Sequence, residues 1–139
     1  MTPLAIFLHS GRYDRAHQAL SLLLTAASTG RRCYLFLFYG ALAGFMDGSW
    51  DHPETIGEPG GGLASDAILR RAFELADMPV PSEILEMVRR EDGGLTVCAC
   101  STSMKLLDLS AEAVSARVDH VAGLATMLEM AEGAQTLYV

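Results

Sequence analysis

Five short apolar runs punctuate the chain, and between them apolar positions recur at helical spacing. Leu4 to Leu8 is unbroken and ends abruptly at His9-Ser10-Gly11, the pattern of a strand buried on both faces. "CYLFLFY", residues 33 to 39, predicts a second such strand, rich in aromatics. Leu95 to Cys100, "LTVCAC", predicts a third, Val118 to Val121 a brief fourth and Thr136 to Val139 a fifth. A helix is expected from about Asp14, a good N-cap, to Thr29. Ala16, Ala19, Leu20, Leu23, Leu24 and Ala27 form its apolar stripe, and Gly30 is its stop. Shorter helices are expected from Gly40, over Leu63 to Ala76 with Ser65 as a cap, and over Ser82 to Glu91 before Gly93-Gly94. The same spacing predicts helices over Ser101 to Leu107, over Ser110 to Ala116 with Ser110 as cap, and over Gly123 to Ala131.

Strands that are apolar throughout, alternating with helices, predict an α/β sandwich built on a parallel sheet of five strands. The 139 residues form one domain, 1–139, by the usual size relation. Residues 47–62, "DGSWDHPETIGEPGGG", carry four carboxylates among Gly and Pro and are expected to be a flexible loop or lid. The net charge of −7, spread along the chain, argues against direct nucleic-acid binding. No apolar run approaches the roughly 18 residues of a membrane span. "MTPLAIFLH" has no basic segment ahead of its apolar run and predicts a strand rather than a signal peptide. With three cysteines and no C-x-x-C, the expected setting is reducing and cytoplasmic.

In open α/β sheets ligands sit beyond the carboxyl ends of the strands. Three groups fall there: His9-Ser10-Gly11, Tyr39-Gly40 and Cys100-Ser101-Thr102-Ser103. Side chains alternate along a strand, so Cys98 and Cys100 share one face. Cys98 is expected inside the strand, whereas Cys100 is expected at its tip, beside a helix N-terminus that favours the thiolate. The competing expectation is that Cys100 is a small buried hydrophobe, the commoner use of a free cysteine. His9 is the histidine expected near Cys100, as a base or as a partner to the thiolate, and a hydrogen-bonded strand-end role is the alternative. His120 is expected close to the same edge, His17 on the surface, and Cys33 in packing at the opposite edge. Residue 106 is Leu, so no C-x5-R phosphate loop follows Cys100. No G-x-G-x-x-G or P-loop is present. Asp51, His52 and Glu54 are expected to be solvated, and no metal or other cofactor is expected.

Three segments resemble the DsrE/DsrF/DsrH-like family, in particular its small members labelled peroxiredoxin-like. They are "AIFLHSGRYDRAHQALSLLLTAASTGRRCYLFLFYGAL", "GGLTVCACSTSMKLLDLSAEAV" and "VDHVAGLATMLEMAEGAQTLYV". Residues 47 to 80 match least. The resemblance implies a three-layer α/β/α fold with a five-stranded, mainly parallel sheet, and assembly of like chains into trimers or hexamers. It also implies a sulfur carrier that holds a persulfide on Cys100, followed by Ser103 and Met104 at the matching positions. Cys98, Met104 and His120 would back the site, and the partners would be sulfur donor and acceptor proteins. A non-catalytic oligomeric module binding a small ligand or a partner is the alternative. A thiol peroxidase is a weaker third reading, because the residues before Cys100 lack a Thr/Pro-x-x-x-Thr/Ser-x-x-Cys arrangement.

Overall fold

The computed structural model describes residues 1–139. Five strands, β1 (Leu4–Leu8), β2 (Cys33–Leu37), β3 (Leu95–Cys100), β4 (His120–Ala122) and β5 (Gln135–Tyr138), form one sheet in the order β4-β3-β2-β1-β5. Every neighbouring pair is parallel. The connections are α1 (Tyr13–Ser28), α2 (Tyr39–Asp47), α3 (Ala64–Leu75), α4 (Pro81–Arg89), α5 (Ser101–Leu106), α6 (Ala111–Ser115) and α7 (Leu124–Met130). The chain is an α/β sandwich, and its strand order follows from crossovers that step outward from β1 to β4 before one connection returns to β5.

The two sides of the sheet are unequal. Leu4, Ile6 and Leu8 of β1, Cys33, Leu35 and Leu37 of β2, and Val97 and Ala99 of β3 point to one side. There they pack against α1, α2, α4 and α6 in a cluster of 22 buried residues. The alternate residues, Ala5, Phe7, Phe36, Cys98 and Cys100, point to the other side and form a cluster of only eight, covered by Met127 of α7 and Ala131. The thinner layer is therefore one short helix, whose Leu124 and Leu128 remain exposed.

Several boundaries differ from expectation by one or two residues, as helix ends usually do. Gly30 has φ +85 and stops α1 as expected, and the Ser110 hydroxyl accepts the Ala113 N–H at 3.3 Å to cap α6. Arg12, not Asp14, is the N-cap of α1. The Ser65 cap is not formed, since α3 begins at Ala64 with no side-chain cap.

The segment expected to be a flexible loop is packed over its first half. Two 3₁₀ turns, Ser49–Asp51 and Pro53–Thr55, place Trp50 and Ile56 in the interior. Trp50 meets Phe45 edge-on with ring centroids 5.5 Å apart. Asp51 accepts the Ser82 N–H at 2.9 Å and also the Ser82 hydroxyl, so it caps α4 from outside that helix. Two large apolar side chains at spacing six outweigh the Gly and Pro content around them.

Candidate functional site

Cys100 is the last residue of β3 and the N-cap of α5. Its Sγ accepts the backbone N–H of Ser103 at 3.5 Å. The Ser103 hydroxyl is fully buried and accepts the backbone N–H of Tyr39 at 3.0 Å, so a chain of two hydrogen bonds links the ends of β3 and β2. Tyr39 needs that anchor because it sits at φ +42, a left-handed conformation uncommon for a residue with a Cβ. A backbone amide is the group that reaches the sulfur.

Topology explains why this end of β3 is special. The connection after β3 passes over the helix-rich side, where Val114 of α6 joins the main core. The connection after β4 passes over the other side, where Met127 of α7 is buried. Neighbouring strands whose connections diverge leave a crevice between their carboxyl ends. Cys100 pairs in register with Ala122 at that point. The crevice is narrow. The Ser101 hydroxyl lies 4.0 Å from where a Gly123 Cβ would stand, and Cys100 is only 4% exposed. Cys100 therefore lies at the expected strand tip, but not at the open surface that the sulfur-carrier expectation calls for.

Cys98 lies on the same face two residues earlier and is completely buried. Burial first, then the neighbouring Cys100 and Asp119, push its thiol up to about 11. It is a neutral S–H at ordinary pH. Cys33 faces the other core, where its Sγ lies 3.5 Å from the Leu23 carbonyl, and burial raises its pKa as well.

The other expected site residues divide between two hollows at the same sheet edge. His9, Ser10, Gly11 and Gly40 line a polar hollow of about 390 Å³ at the start of α1, together with Arg12 and Arg15. His9 also borders an apolar cleft of about 580 Å³ that contains Tyr39. Gly11 is there for space: a Cβ on it would stand 2.2 Å from the Gly40 carbonyl oxygen. His9 makes no side-chain hydrogen bond, and β2 separates its strand from that of Cys100, so the two are not a base and thiol pair here. Met104 turns into the helix-rich core, away from the Cys100 face, so it does not back the thiol. His120 is exposed on the edge strand, level with Cys98 rather than with Cys100. Ser101 is half-buried at the crevice and Thr102 is exposed beside it.

His17 is a correction. It is buried rather than on the surface, stacked on Tyr13 with centroids 5.8 Å apart and edge-on to Phe73 of α3 at 5.0 Å. Its Nε2 has no hydrogen-bond partner, and burial lowers its pKa below the ordinary value of 6.5. As pH falls below about 6.5 the unfolded chain takes up a proton that folded His17 resists. The unfolded state then binds more protons, and stability falls with pH until the folded pKa is passed, by at most about 1.4 kcal/mol per pH unit for one proton. Urea unfolding at pH 7.5 and 5.5 is expected to show a smaller drop for His17→Phe than for wild type. Equal drops would mean that another group carries the acid sensitivity.

The largest concavity, about 1050 Å³, lies away from all these residues, between α4 and Arg117–Asp119. Sequence reasoning did not single it out, because its charged residues come from separate segments. Arg89 lies 3.7 Å from Glu86 and 3.9 Å from Asp119. Arg117 donates to the Met46 carbonyl and lies 4.5 Å over the Phe45 ring. Ser82 also lines the hollow, but its hydroxyl is bonded to Asp51, and Arg89 and Arg117 already have partners.

Fold and site together place the chain among parallel α/β proteins with one face thickly and one thinly covered. A protein of unknown function from Methanobacterium thermoautotrophicum, MTH1491, superposes over the full length of both chains with a TM-score of 0.55 at 11% identity. A likeness at that identity establishes the fold alone. No protein-family model matches the sequence, and no curated protein does. No helix is long and apolar enough to cross a membrane.

Proposed function

We propose that the protein is a sulfur carrier whose working atom is Cys100 Sγ. The observation that supports this reading is the position of that sulfur: it ends the strand next to the β4 edge, between diverging connections, and accepts the Ser103 N–H at 3.5 Å. In the proposed reaction the Cys100 thiolate attacks the outer sulfur of a donor persulfide, R–S–SH. The S–S bond of the donor breaks, R–S⁻ leaves, and Cys100–S–SH is formed. An acceptor thiolate then attacks the outer sulfur and Cys100 leaves as thiolate. Ser103 N–H faces the sulfur both when it attacks and when it leaves. Because Cys100 is nearly covered, each transfer demands that the start of α7 move aside while the first turn of α5 keeps its Ser103 N–H on the sulfur.

The test is intact-mass spectrometry after incubation with inorganic polysulfide, on wild type and Cys100→Ser. Wild type is expected to gain one sulfur atom and the variant none. Absence of any gain in wild type, with Cys100 resistant to alkylation until the chain unfolds, would refute the carrier.

The burial of Cys100 favours a second reading in that outcome: a non-catalytic binding module. In it the thiol is packing and helix cap, and the hollows at the strand tips do the binding.

A further inference from the structure

The apolar cleft has a composition that neither the carrier nor its thiol explains. Its floor is Phe7 and Phe38, both buried, and its walls are Leu124 and Leu128 of α7 and Tyr138 of β5. Tyr39 and His9 close the end nearest the strand tips. The rings are nearly parallel: Phe7 stacks on Tyr138 at 4.8 Å and 22°, and on Phe38 at 6.0 Å and 21°. Rings stacked on one another keep their faces for each other and leave their edges free, and edges suit the face of a flat aromatic body, which gains from edge-to-face contact as well as from lost water contact. The volume, about 580 Å³, lies within the range of small-molecule sites, roughly 300–1,000 Å³.

Charge narrows the ligand further. The chain carries a net −7, yet no carboxylate lines this cleft. His9 is its only ionisable group other than the two tyrosines, it is exposed, and its ring has no partner within the chain. An imidazole has an N–H to donate in either protonation state.

We propose that this cleft binds a small aromatic acid, its ring system held between Leu124, Leu128 and Tyr138 over the edges of Phe7 and Phe38, and its acidic group accepting from His9. The inference deepens the binding-module reading, and it holds whether or not Cys100 carries sulfur.

The experiment is calorimetric titration of the full chain with naphthalene-2-carboxylate, and separately with naphthalene-2-methanol and inorganic phosphate. One saturable carboxylate site per chain is expected. Leu128→Gln and Tyr138→Ser, both at exposed positions and checked by thermal melting, are expected to weaken it at least tenfold. His9→Ala, which has no side-chain donor, is expected to weaken the carboxylate several-fold and leave the neutral alcohol nearly unchanged. The proposal is overturned if the carboxylate does not saturate, or if neither wall variant changes its affinity. It is also overturned if sedimentation shows an oligomer that Leu128→Gln dissociates, because the cleft is then an interface between copies. Phosphate binding without naphthoate binding would sink this ligand and leave a binding module at the polar hollow. Binding of none of the three would remove the binding-module reading as well.

Discussion

Gly11→Ala is expected to destabilise the protein by about 2–4 kcal/mol, more than any other single methyl added near the site. The added Cβ would lie 2.2 Å from the Gly40 carbonyl oxygen and 2.8 Å from its carbon. Both are backbone atoms in the first turn of α2, so neither can rotate away as a side chain would. Relief requires the start of α2 to move off the tip of β1. That turn holds Tyr39, whose N–H is tied to Ser103, so the shift passes to the residue that donates to Cys100. Thermal unfolding measures the effect, at roughly 3 °C per kcal/mol for a domain of this size. Gly123→Ala is the control: it stands beside Ser101, its nearest neighbour would be 4.0 Å away, and its φ is −85. Because Gly123 is the N-cap of α7, where Ala is disfavoured, this variant is expected to lose only about 0.5–1 kcal/mol. A Gly11→Ala protein as stable as the control would show that the β1 and α2 backbones are not in close contact.

The second large effect is a separation of two thiols only two residues apart. Cys98, pushed up to about 11, is a thiolate in roughly one molecule in 3,000 at pH 7.5. Iodoacetamide on the native protein is expected to label Cys98 far more slowly than Cys100, with the sites resolved by peptide mapping. Comparable rates at the two positions would make them one packed pair and take the carrier site away. The same shift has a stability consequence. The unfolded Cys98 thiol ionises near 9.0, while the folded one holds its proton to about 11. The unfolded state therefore binds fewer protons across that interval, and stability falls as pH rises from about 9 to about 11. Cys98→Val keeps an apolar side chain of similar size and is expected to flatten that part of the curve.

Sequence determined more about the fold than about the site. Apolar runs of five or six residues mark strands buried on both faces, and period-3.6 stripes mark the helices between them. Such runs demand a parallel sheet with helices packed over it, because only crossovers can join the strands. The alternation of Cys98 and Cys100 on one face follows from the two-residue period of a strand and holds in the structure. Trp50, Ile56 and His17 went the other way. A composition-based reading counts Gly and Pro in the loop and puts one histidine at the surface. The packing of Phe45 on Trp50 and of Phe73 on His17 joins residues from separate elements, and no local pattern encodes such pairs.

Two matters belonged to the tertiary structure alone. One is exposure: the spacing that put Cys100 at a strand tip says nothing about Met127 and Ala131, which pack in one cluster with Cys100 and leave it 4% exposed. The other is grouping. His9, Tyr39 and Cys100 all end strands at one edge, as the sequence implied, yet strand order puts β2 between the first and last of them. Side-chain direction then sends His9 and Tyr39 to an apolar cleft with α7 and β5. Sequence spacing defines which residues reach the carboxyl edge. The order of strands and the side each crossover takes decide which of them meet.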